Sequence, residues 1–385
     1  MTMSDHSAAE SPLVSVIVPS YNHQEFLPRR LRSIAEQTYQ NIEVIVLDDA
    51  SQDGSQSTLK QFCENEPRVK HQLFNAENSG QPILQWIKGV NLARGKYVWI
   101  AESDDFCEDN FLTTLVAALE RNEKAGIAYC ACNMVDRNDN RIGKFELESP
   151  IFERNLWNDD FTLNGKMLVS DYFVARNIIP NASTALFNRE LLEKHIEAGK
   201  ELRLIADWLI YVNIAMESEI VYINKALNSY RIHDTSTTRT YSVAKHRKIV
   251  KERLKIFRAI IQKVDTSERT LRAFKYMMSN RNKFHRAEKV FQKLAALEVS
   301  SNQLAFYGYN DLTKYIIERE QQPISPRFII DQGKANNQYN SIPITALDNA
   351  DLSDITTIAV MSLRYSTEMC AALINVGFKG YVVTV

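Results

Sequence analysis

Residues 14–22 read VSVIVPSYN, a β-branched run that a proline closes and that polar and aromatic residues follow. This pattern predicts a buried strand that ends in a loop. Residues 25–37 then carry apolar side chains at mostly helical spacing, and residues 42–49, which read IEVIVLDD, return to strand character. Strand, helix and strand form a predicted βαβ unit, and ligands of such open sheets gather where the strands end.

The same alternation continues downstream. Strand patterns at residues 69–74, 97–101 and 127–132 alternate with helix patterns at 82–92 and 110–121. Because right-handed crossovers carry the helices onto the faces of parallel strands, we expect an α/β fold with a mostly parallel sheet flanked by helices.

Residues 137–180 interrupt this pattern with charged residues, aromatic residues and turn formers. They indicate an excursion that lies over one edge of the sheet. Regular patterns return afterwards, and two short separate strands are expected at residues 220–223 and 228–232.

The chain has 385 residues, which is longer than a single hydrophobic core usually supports. Residues 241–300 are densely charged with apolar positions at helical spacing, so we expect a helical linker between an α/β domain at 13–240 and a small α/β domain at 301–385. Residues 1–12 are expected to be a disordered tail. The small domain has a degenerate Rossmann-like pattern, because Gly308 is alone where a dinucleotide fold carries several glycines, and we favour an assembly or docking role over cofactor binding.

Charge and cysteine content exclude some classes of protein. Lysine plus arginine total 46 against 47 acidic residues, a net charge of -1, so the chain has no general field for nucleic acid. Five cysteines without zinc-type spacing indicate reduced thiols, and the sequence shows neither a secretory signal nor a long apolar run. We therefore expect a cytoplasmic protein, with the basic tract 245–255 either solvated, which we favour, or touching the inner face of a membrane. The chain could also form a homo-oligomer.

Acidic residues follow two of the predicted strands. Asp48 and Asp49 end the second strand, and residues 102–105, which read ESDD, follow the strand at 97–101. Because parallel strands end at one edge of a sheet, we expect these acids to lie at the same edge as residues 20–22, the SYN loop after the first strand. Carboxylates can accept from a base and ribose, Tyr21 can stack on the base, and a cation at the second cluster can bridge a diphosphate. Together they predict a nucleoside diphosphate site.

Four segments, VSVIVPSYN (14–22), LDDASQDGS (47–55), ARGKYVWIAESDD (93–105) and YRIH (230–233), resemble in order and spacing the family 2 glycosyltransferases with the GT-A fold. The resemblance covers about residues 13–238. It implies an inverting transferase of the bacterial surface-glycan type that depends on Mn²⁺ or Mg²⁺. The donor would be a nucleoside-diphosphate sugar, with a UDP-sugar favoured, and the acceptor a hydroxyl of a glycan, a lipid-linked intermediate or a protein, reached through the 137–180 excursion.

By position in that family, the donor nucleoside would be held by residues of the first two segments. Pro19, Tyr21 and Asp49 would hold it, with Asp48 beside it and Asn22 nearby. The competing interpretation is that the two aspartates cap the helix that follows them.

The resemblance also assigns the acidic cluster. Asp104 would be the metal ligand, and Glu102 and Ser103 would contact the donor, although glutamate stands where the family has aspartate. His233 would ligate the metal or contact the diphosphate, and Arg231 would add positive charge to the donor site. A solvated acidic turn is the alternative for residues 102–105.

The catalytic base is expected at Asp207, since IADW (205–208) resembles the Glu-Asp-Trp segment of the family, with Ala206 in place of the glutamate. An aspartate that heads an apolar helix can also be a simple N-cap. Because of Glu102 and Ala206, the alternative function is a catalytically impaired sugar-nucleotide-binding or regulatory protein of the same fold. A nucleotidyltransferase is a weaker alternative, because no glycine-rich phosphate loop follows the first strand.

Overall fold

A computed structural model describes residues 11–145, 147, 156–233, 243–265, 268, 270–272, 289–318, 323–362 and 365–384. All predicted site residues lie inside these ranges. Residues 1–10 of the predicted tail and parts of the predicted linker lie outside them.

The chain divides into two compact units. One comprises Met1–Arg239 with Glu252–Ala273, and the other comprises Thr240–Lys251 with Phe274–Val385. The predicted domain boundaries at 240 and 300 remain predictions, but part of the expected linker groups with the first unit.

Within the residues that the structure describes, the first unit contains ten strands and most of the helices. The strands are β1 (Val14–Ser20), β2 (Ile42–Asp48), β3 (Val69–Phe74), β4 (Tyr97–Ile100), β5 (Phe106–Cys107), β6 (Ala125–Val135), β7 (Arg141–Lys144), β8 (Phe161–Asn164), β9 (Ala185–Asn188) and β10 (Glu219–Arg231). The helices are α1 (Leu27–Ala35), α2 (Ser55–Asn65), α3 (Pro82–Leu92), α4 (Phe111–Glu120), α5 (Gly165–Leu168), α6 (Arg189–Ile196), α7 (Ala206–Ala215) and α8 (Val243–Ile261), of which α8 falls in the residue ranges of both units.

The main sheet has the order β3-β2-β1-β4-β9-β6-β10-β5, with β7 beside β6 and β8 beside β10. The long ladders β3-β2-β1-β4 and β6-β10 are parallel, and β9 runs antiparallel between β4 and β6. The expectation of an α/β fold with a mostly parallel sheet is confirmed. In register, Ser20 of β1 pairs with Asp48 of β2, so the loops after these strands begin at the same edge.

The buried faces of these strands form the core together with the apolar sides of α1 and α4. Trp99 on β4 lies against Phe111 at the start of α4, with ring centroids 4.8 Å apart. This packing fixes the strand from which the acidic cluster emerges.

Residues 219–231 form one strand, β10, where the sequence suggested two short ones. The register of β10 against β6 shifts between Ile223 and Ala226 and again between Ala226 and Asn228. An irregularity of this kind lets polar residues interrupt the apolar pattern without ending the strand, which explains the difference.

Two strands of the 137–180 excursion join the main sheet. Strand β7 pairs antiparallel with β6, and β8 pairs antiparallel with β10. Trp157 is buried beneath them, where its indole N–H donates to the Tyr129 hydroxyl at 2.7 Å. That this region faces an acceptor stays a prediction.

The second unit carries its own sheet, in the order β13-β14-β12-β11-β15-β16. Its strands are β11 (Leu304–Tyr307), β12 (Phe328–Ile330), β13 (Gln338–Tyr339), β14 (Ile342–Thr345), β15 (Thr357–Val360) and β16 (Tyr381–Thr384), and its helices include α9 (Asp311–Ile317) and α10 (Ser366–Asn375). Gly308 follows β11 with φ of 105°, a conformation that favours glycine. The Asp331 carboxylate accepts from the backbone N–H groups of Tyr309 and Gly333, so it closes this turn.

All five cysteines are free thiols. Among the described helices, none combines the length and the apolar character that crossing a membrane requires.

Candidate functional site

The loops after β1 and β2 are joined by hydrogen bonds between their backbones and side chains. The Asn22 N–H donates to the Ser51 hydroxyl at 2.9 Å, and the Gln52 N–H donates to the Asn22 side-chain oxygen at 2.8 Å. Asn22 has φ of 53°, a left-handed conformation that asparagine tolerates better than most residues. Asp48 accepts from the Ser51 N–H at 2.9 Å and from the Ser51 hydroxyl, which fixes the second loop.

Pro19 and Tyr21 flank the end of β1 in different environments. Pro19 is buried and pairs in register with Leu47 of β2. The Tyr21 side chain is 44 % exposed, which leaves its ring accessible to a planar ligand.

Asp49 is buried and its carboxylate accepts four hydrogen bonds. Asn75 and Gln85 donate through their side-chain amides at 2.6 and 2.7 Å, and Ser79 donates through its backbone N–H at 3.0 Å and its hydroxyl at 2.7 Å. The segment between β3 and α3 is therefore tied to the end of β2. These partners are not evident from the sequence, and the contact of Asp48 and Asp49 with a nucleoside stays a prediction.

The acidic cluster after β4 concentrates negative charge. Burial and the neighbouring carboxylates of Asp104 and Asp105 raise the pKa of Glu102 to about 8, and the Trp86 indole N–H donates to its carboxylate at 2.9 Å. Burial and Asp104 raise the pKa of Asp105 to about 7. Asp105 accepts from the backbone N–H of Arg231 at 2.9 Å. Crowding of this kind disfavours the charged form of each carboxylate, and a nearby cation favours it.

Two histidines complete a group with Asp104. The Nε2 atom of His233 lies 3.1 Å from Oδ2 of Asp104, and the ligand atoms of His23, Asp104 and His233 all lie within 4.8 Å of one another. Ser103 bonds Nδ1 of His23 at 2.8 Å and so orients that ring. Burial lowers the pKa of His23, which favours the neutral form that binds metals.

Asp104 and His233 are predicted for this group from the sequence, and His23 is not. The only signal for His23 is its position immediately after SYN in a loop that was already expected at the site. A lone histidine there has no spacing pattern, and Ser103 reaches it from 80 residues away along the chain. Ser103, expected to contact the donor, is itself buried.

Two buried arginines donate hydrogen bonds to backbone carbonyl groups of the acidic cluster. The Nε–H of Arg231 donates to the Asp104 carbonyl at 2.7 Å, and the Nε–H of Arg30 donates to the Glu102 carbonyl at 2.8 Å. The Arg30 guanidinium also lies over the Trp99 ring, 5.2 Å from its centroid. Arg231 thus supports the cluster backbone, and its predicted contact with a donor stays a prediction. Arg30 was missed because α1 reads as an ordinary amphipathic helix.

A cavity of about 200 Å³ opens beside the cluster. It is lined by Pro82, Ile83, Trp86, Glu102, Asp104, Asp105, Pro180, Asn181, Ala182, Arg203, Leu204, Ala206, Asp207 and Tyr230. The structure therefore brings Asp207 and the acidic cluster to one cavity, although about a hundred residues separate them in the sequence. Tyr21, Asn22, Asp48 and Asp49 do not line it.

Asp207 lies in the first turn of α7, and its environment raises its basicity. Burial raises its pKa to about 6, against the opposing effect of backbone N–H groups and of Asn177. The Asn177 side-chain amide donates to Oδ2 of Asp207 at 2.9 Å, which fixes the carboxylate at the cavity wall. A carboxylate of this pKa can accept a proton near neutral pH.

An open α/β sheet with acids and histidines at its strand ends, and a separate carboxylate across a cavity, places titratable groups where the ligands of such sheets bind. The sequence model described as Glycosyl transferase family 2 matches residues 15–177. Residues 15–177 are therefore similar to family 2 glycosyltransferases.

Sequence similarity to individual glycosyltransferases agrees with this family match. The chain is 35 % identical over 113 residues to the glycosyltransferase GlyG of Streptococcus pneumoniae, covering 29 % of this chain and 37 % of that protein. It is 28 % identical over 231 residues to GlyA of the same organism, covering 60 % and 32 %. It is 30 % identical over 135 residues to TuaG of Bacillus subtilis, a putative teichuronic acid biosynthesis glycosyltransferase, covering 35 % and 52 %. The matched regions span roughly a third to a half of these relatives.

Solved structures support the fold. S. aureus TarS 1-349 in complex with UDP has a TM-score of 0.50 at 18 % identity, covering 74 % of this chain and 75 % of that one. The complex with UDP-GlcNAc has a TM-score of 0.50 at 17 % identity, covering 74 % and 76 %. The GT-A-like fold class is confirmed.

Proposed function

We propose that this protein is an inverting glycosyltransferase that moves a sugar from a nucleoside-diphosphate sugar to an acceptor hydroxyl. The observation that carries the proposal is the cavity in which Asp207 faces the acidic cluster of Glu102, Asp104 and Asp105. A transferase needs a base on the acceptor side and charge stabilisation on the leaving-group side, and this cavity offers residues for both.

Asp207 is the proposed base. It takes the proton of the acceptor hydroxyl while that oxygen attacks the anomeric carbon, and the nucleoside diphosphate leaves from the opposite face. The elevated pKa of Asp207 suits this role, and the amide of Asn177 orients the carboxylate. General bases contribute about 10²- to 10⁴-fold to a rate.

His23, Asp104 and His233 would hold a divalent cation. Two imidazoles and one carboxylate fit this assignment, because their ligand atoms converge within 4.8 Å and the neighbouring carboxylates add negative charge. A bound cation would neutralise charge on the diphosphate. Imidazole ligands are unusual for Mg²⁺, which prefers oxygen, so we favour Mn²⁺ of the two expected ions.

The donor and acceptor classes are proposed from the relatives. The TarS complexes with UDP and UDP-GlcNAc support a UDP-sugar, and the name of TuaG supports a bacterial surface glycan as the acceptor class. Donor contacts would come from Pro19, Tyr21, Asn22, Asp48 and Asp49 with Glu102 and Ser103. Contact with a membrane and self-association stay predictions from the sequence.

The test begins with a screen of UDP- and other nucleotide-sugars by thermal shift with Mn²⁺, followed by measurement of UDP release. We expect Asp104→Asn to weaken Mn²⁺-dependent UDP binding. Asp207→Asn should leave UDP affinity within about twofold and lower transfer by about 10²-fold or more. Binding without any release in the wild-type protein would instead favour the sugar-nucleotide-binding or regulatory alternative.

A further inference from the structure

A buried carboxylate from α8 reaches the segment that leads into α7. Glu252 is 5 % exposed, and its two oxygens accept from three consecutive backbone N–H groups. Oε1 accepts from Arg203 at 3.0 Å, and Oε2 accepts from Leu204 at 2.9 Å and from Ile205 at 3.2 Å. Glu252 lies 47 residues or more from these partners along the chain.

The segment that Glu252 binds lacks a local cap. Helix α7 begins at Ala206, and the residue before it, Ile205, has an apolar side chain that makes no capping bond. The N–H groups at a helix start need acceptors, and a carboxylate there is also favoured by the helix dipole. Glu252 accepts from Ile205, the N-cap residue, and from the two residues before it, so it caps the segment that leads into α7 and is supplied from a distant helix.

This cap lies next to residues of the cavity and to the proposed base. Arg203 and Leu204 line the cavity, and Asp207 stands in the first turn of α7, two residues after Ile205. Movement of residues 203–205 would shift both the cavity wall and the start of the helix that carries Asp207.

The rest of α8 keeps Glu252 in place. Glu252, Ile256 and Ile260 recur every four residues and are all buried, so they share one face of the helix. Two residues beyond the end of α8, the Lys263 ammonium donates to the Asn213 side-chain oxygen on α7 at 3.0 Å. Helix α8 and the residues that follow it thus contact both the segment before α7 and α7 itself.

We propose that Glu252 is a positioning residue for the reaction, holding residues 203–205 so that Asp207 meets the acceptor in the correct orientation. The inference rests on the proposed function of Asp207 as the base. It also makes α8, which the sequence places in a linker, a part of the acceptor side of the site.

The experiment compares Glu252→Ala and Glu252→Gln with Arg258→Ala, which removes an exposed charge from the same helix. Hydrogen exchange by mass spectrometry reports residues 203–205, calorimetry with UDP and Mn²⁺ reports donor-side binding, and UDP release from UDP-GlcNAc reports turnover. In Glu252→Ala we expect exchange at 203–205 to rise by about tenfold or more. We expect kcat to fall by about 10- to 100-fold while the UDP affinity and the donor KM stay within about twofold.

Glu252→Gln retains one oxygen acceptor and should be intermediate in both exchange and kcat, whereas Arg258→Ala should match the wild type. A role in stability alone would instead lower UDP binding and turnover together. Unchanged exchange at 203–205 overturns the inference, and so does faster exchange with an unchanged kcat. If the wild type binds UDP but turns over no donor, the proposed function fails, and the exchange comparison still decides whether Glu252 holds the segment.

Discussion

The aspartates of the candidate site have different neighbours, so the same carboxylate group has different chemical properties at each position. Asp49 is surrounded by four donors that also connect loops, so its charge is already compensated within the protein. Asp104 faces two histidines, an arrangement that leaves room for a cation between the ligand atoms. Asp207 accepts one side-chain hydrogen bond from Asn177 and borders the cavity. Burial without a cationic partner is what raises its pKa.

The pH dependence of transfer should report Asp207. Its pKa of about 6 lies above the ordinary value because burial disfavours the charged form. The base acts when deprotonated, so kcat/KM should fall by about tenfold per pH unit below pH 6. The amide of Asn177 stabilises the carboxylate and lowers this pKa, so Asn177→Ala should move the acid limb to higher pH.

The measurement is a pH–rate profile of the wild type, Asn177→Ala and the exposed control Asn65→Ala. The control should retain the wild-type limb. A limb that stays in place in Asn177→Ala would show that the observed titration belongs to another group.

Metal affinity should depend on His23 as well as on Asp104. His23→Asn removes one of three converging ligands. Loss of a residue that only hydrogen-bonds a metal ligand lowers metal affinity by about 10- to 100-fold, so we expect the affinity for Mn²⁺ to fall by at least this amount. Ser103→Ala should have a smaller effect in the same direction, because it frees the ring that Ser103 orients. Calorimetry with Mn²⁺ alone measures both changes.

His71→Asn on β3 is the matched control and should bind Mn²⁺ as the wild type does. Equal affinity in His23→Asn and His71→Asn would remove His23 from the metal site.

At the level of elements, the spacing of apolar residues predicted most of the strands and helices, because this spacing depends on which face of each element is buried. The position of β9 was not predictable, since its antiparallel insertion between β4 and β6 depends on partners far along the chain. The cap from Glu252 and the contact of Ser103 with His23 were missed for the same reason. The motif residues could be predicted because the loops that follow the strands share one edge of the sheet. The residues that support them could not be predicted in this way.

Close packing between α5 and the end of α7 gives an element-scale prediction. A Cβ added to Gly165 would lie 2.0 Å from the Ala215 carbonyl oxygen, which is backbone and cannot rotate away. Gly165→Ala should therefore lower the free energy of unfolding by about 1–3 kcal/mol, as overpacking does. At Gly143 the nearest atom is the flexible Met134 methyl at 3.2 Å, so Gly143→Ala should be close to neutral. Urea unfolding of both variants tests the comparison, and equal losses would contradict it.

At the scale of the whole molecule, the first compact unit includes residues that the composition places in a linker. The charged, helical character of residues 241–300 resembles a linker, and the sequence does not reveal which side of α8 is covered. In the structure, residues Glu252–Ala273 group with Met1–Arg239, and Glu252 and Lys263 bond to residues of that unit. Glu252 of this helix supplies a cap to the unit that carries the site.

Truncation tests this boundary. A chain of residues 1–273 should fold cooperatively, whereas one of residues 1–240 should not, because it lacks the buried side chains of Ile256, Phe257 and Ile260 as well as the Glu252 cap. Each fully buried apolar side chain of this size contributes about 1.5–3 kcal/mol, so the sum approaches the whole stability of a typical domain. Thermal unfolding followed by circular dichroism, with UDP and Mn²⁺ binding as a second readout, measures the difference. If both truncated chains melted at the same temperature, α8 would be a linker. In that case, adding Glu252→Ala to the 1–273 chain should change neither its melting temperature nor hydrogen exchange at residues 203–205.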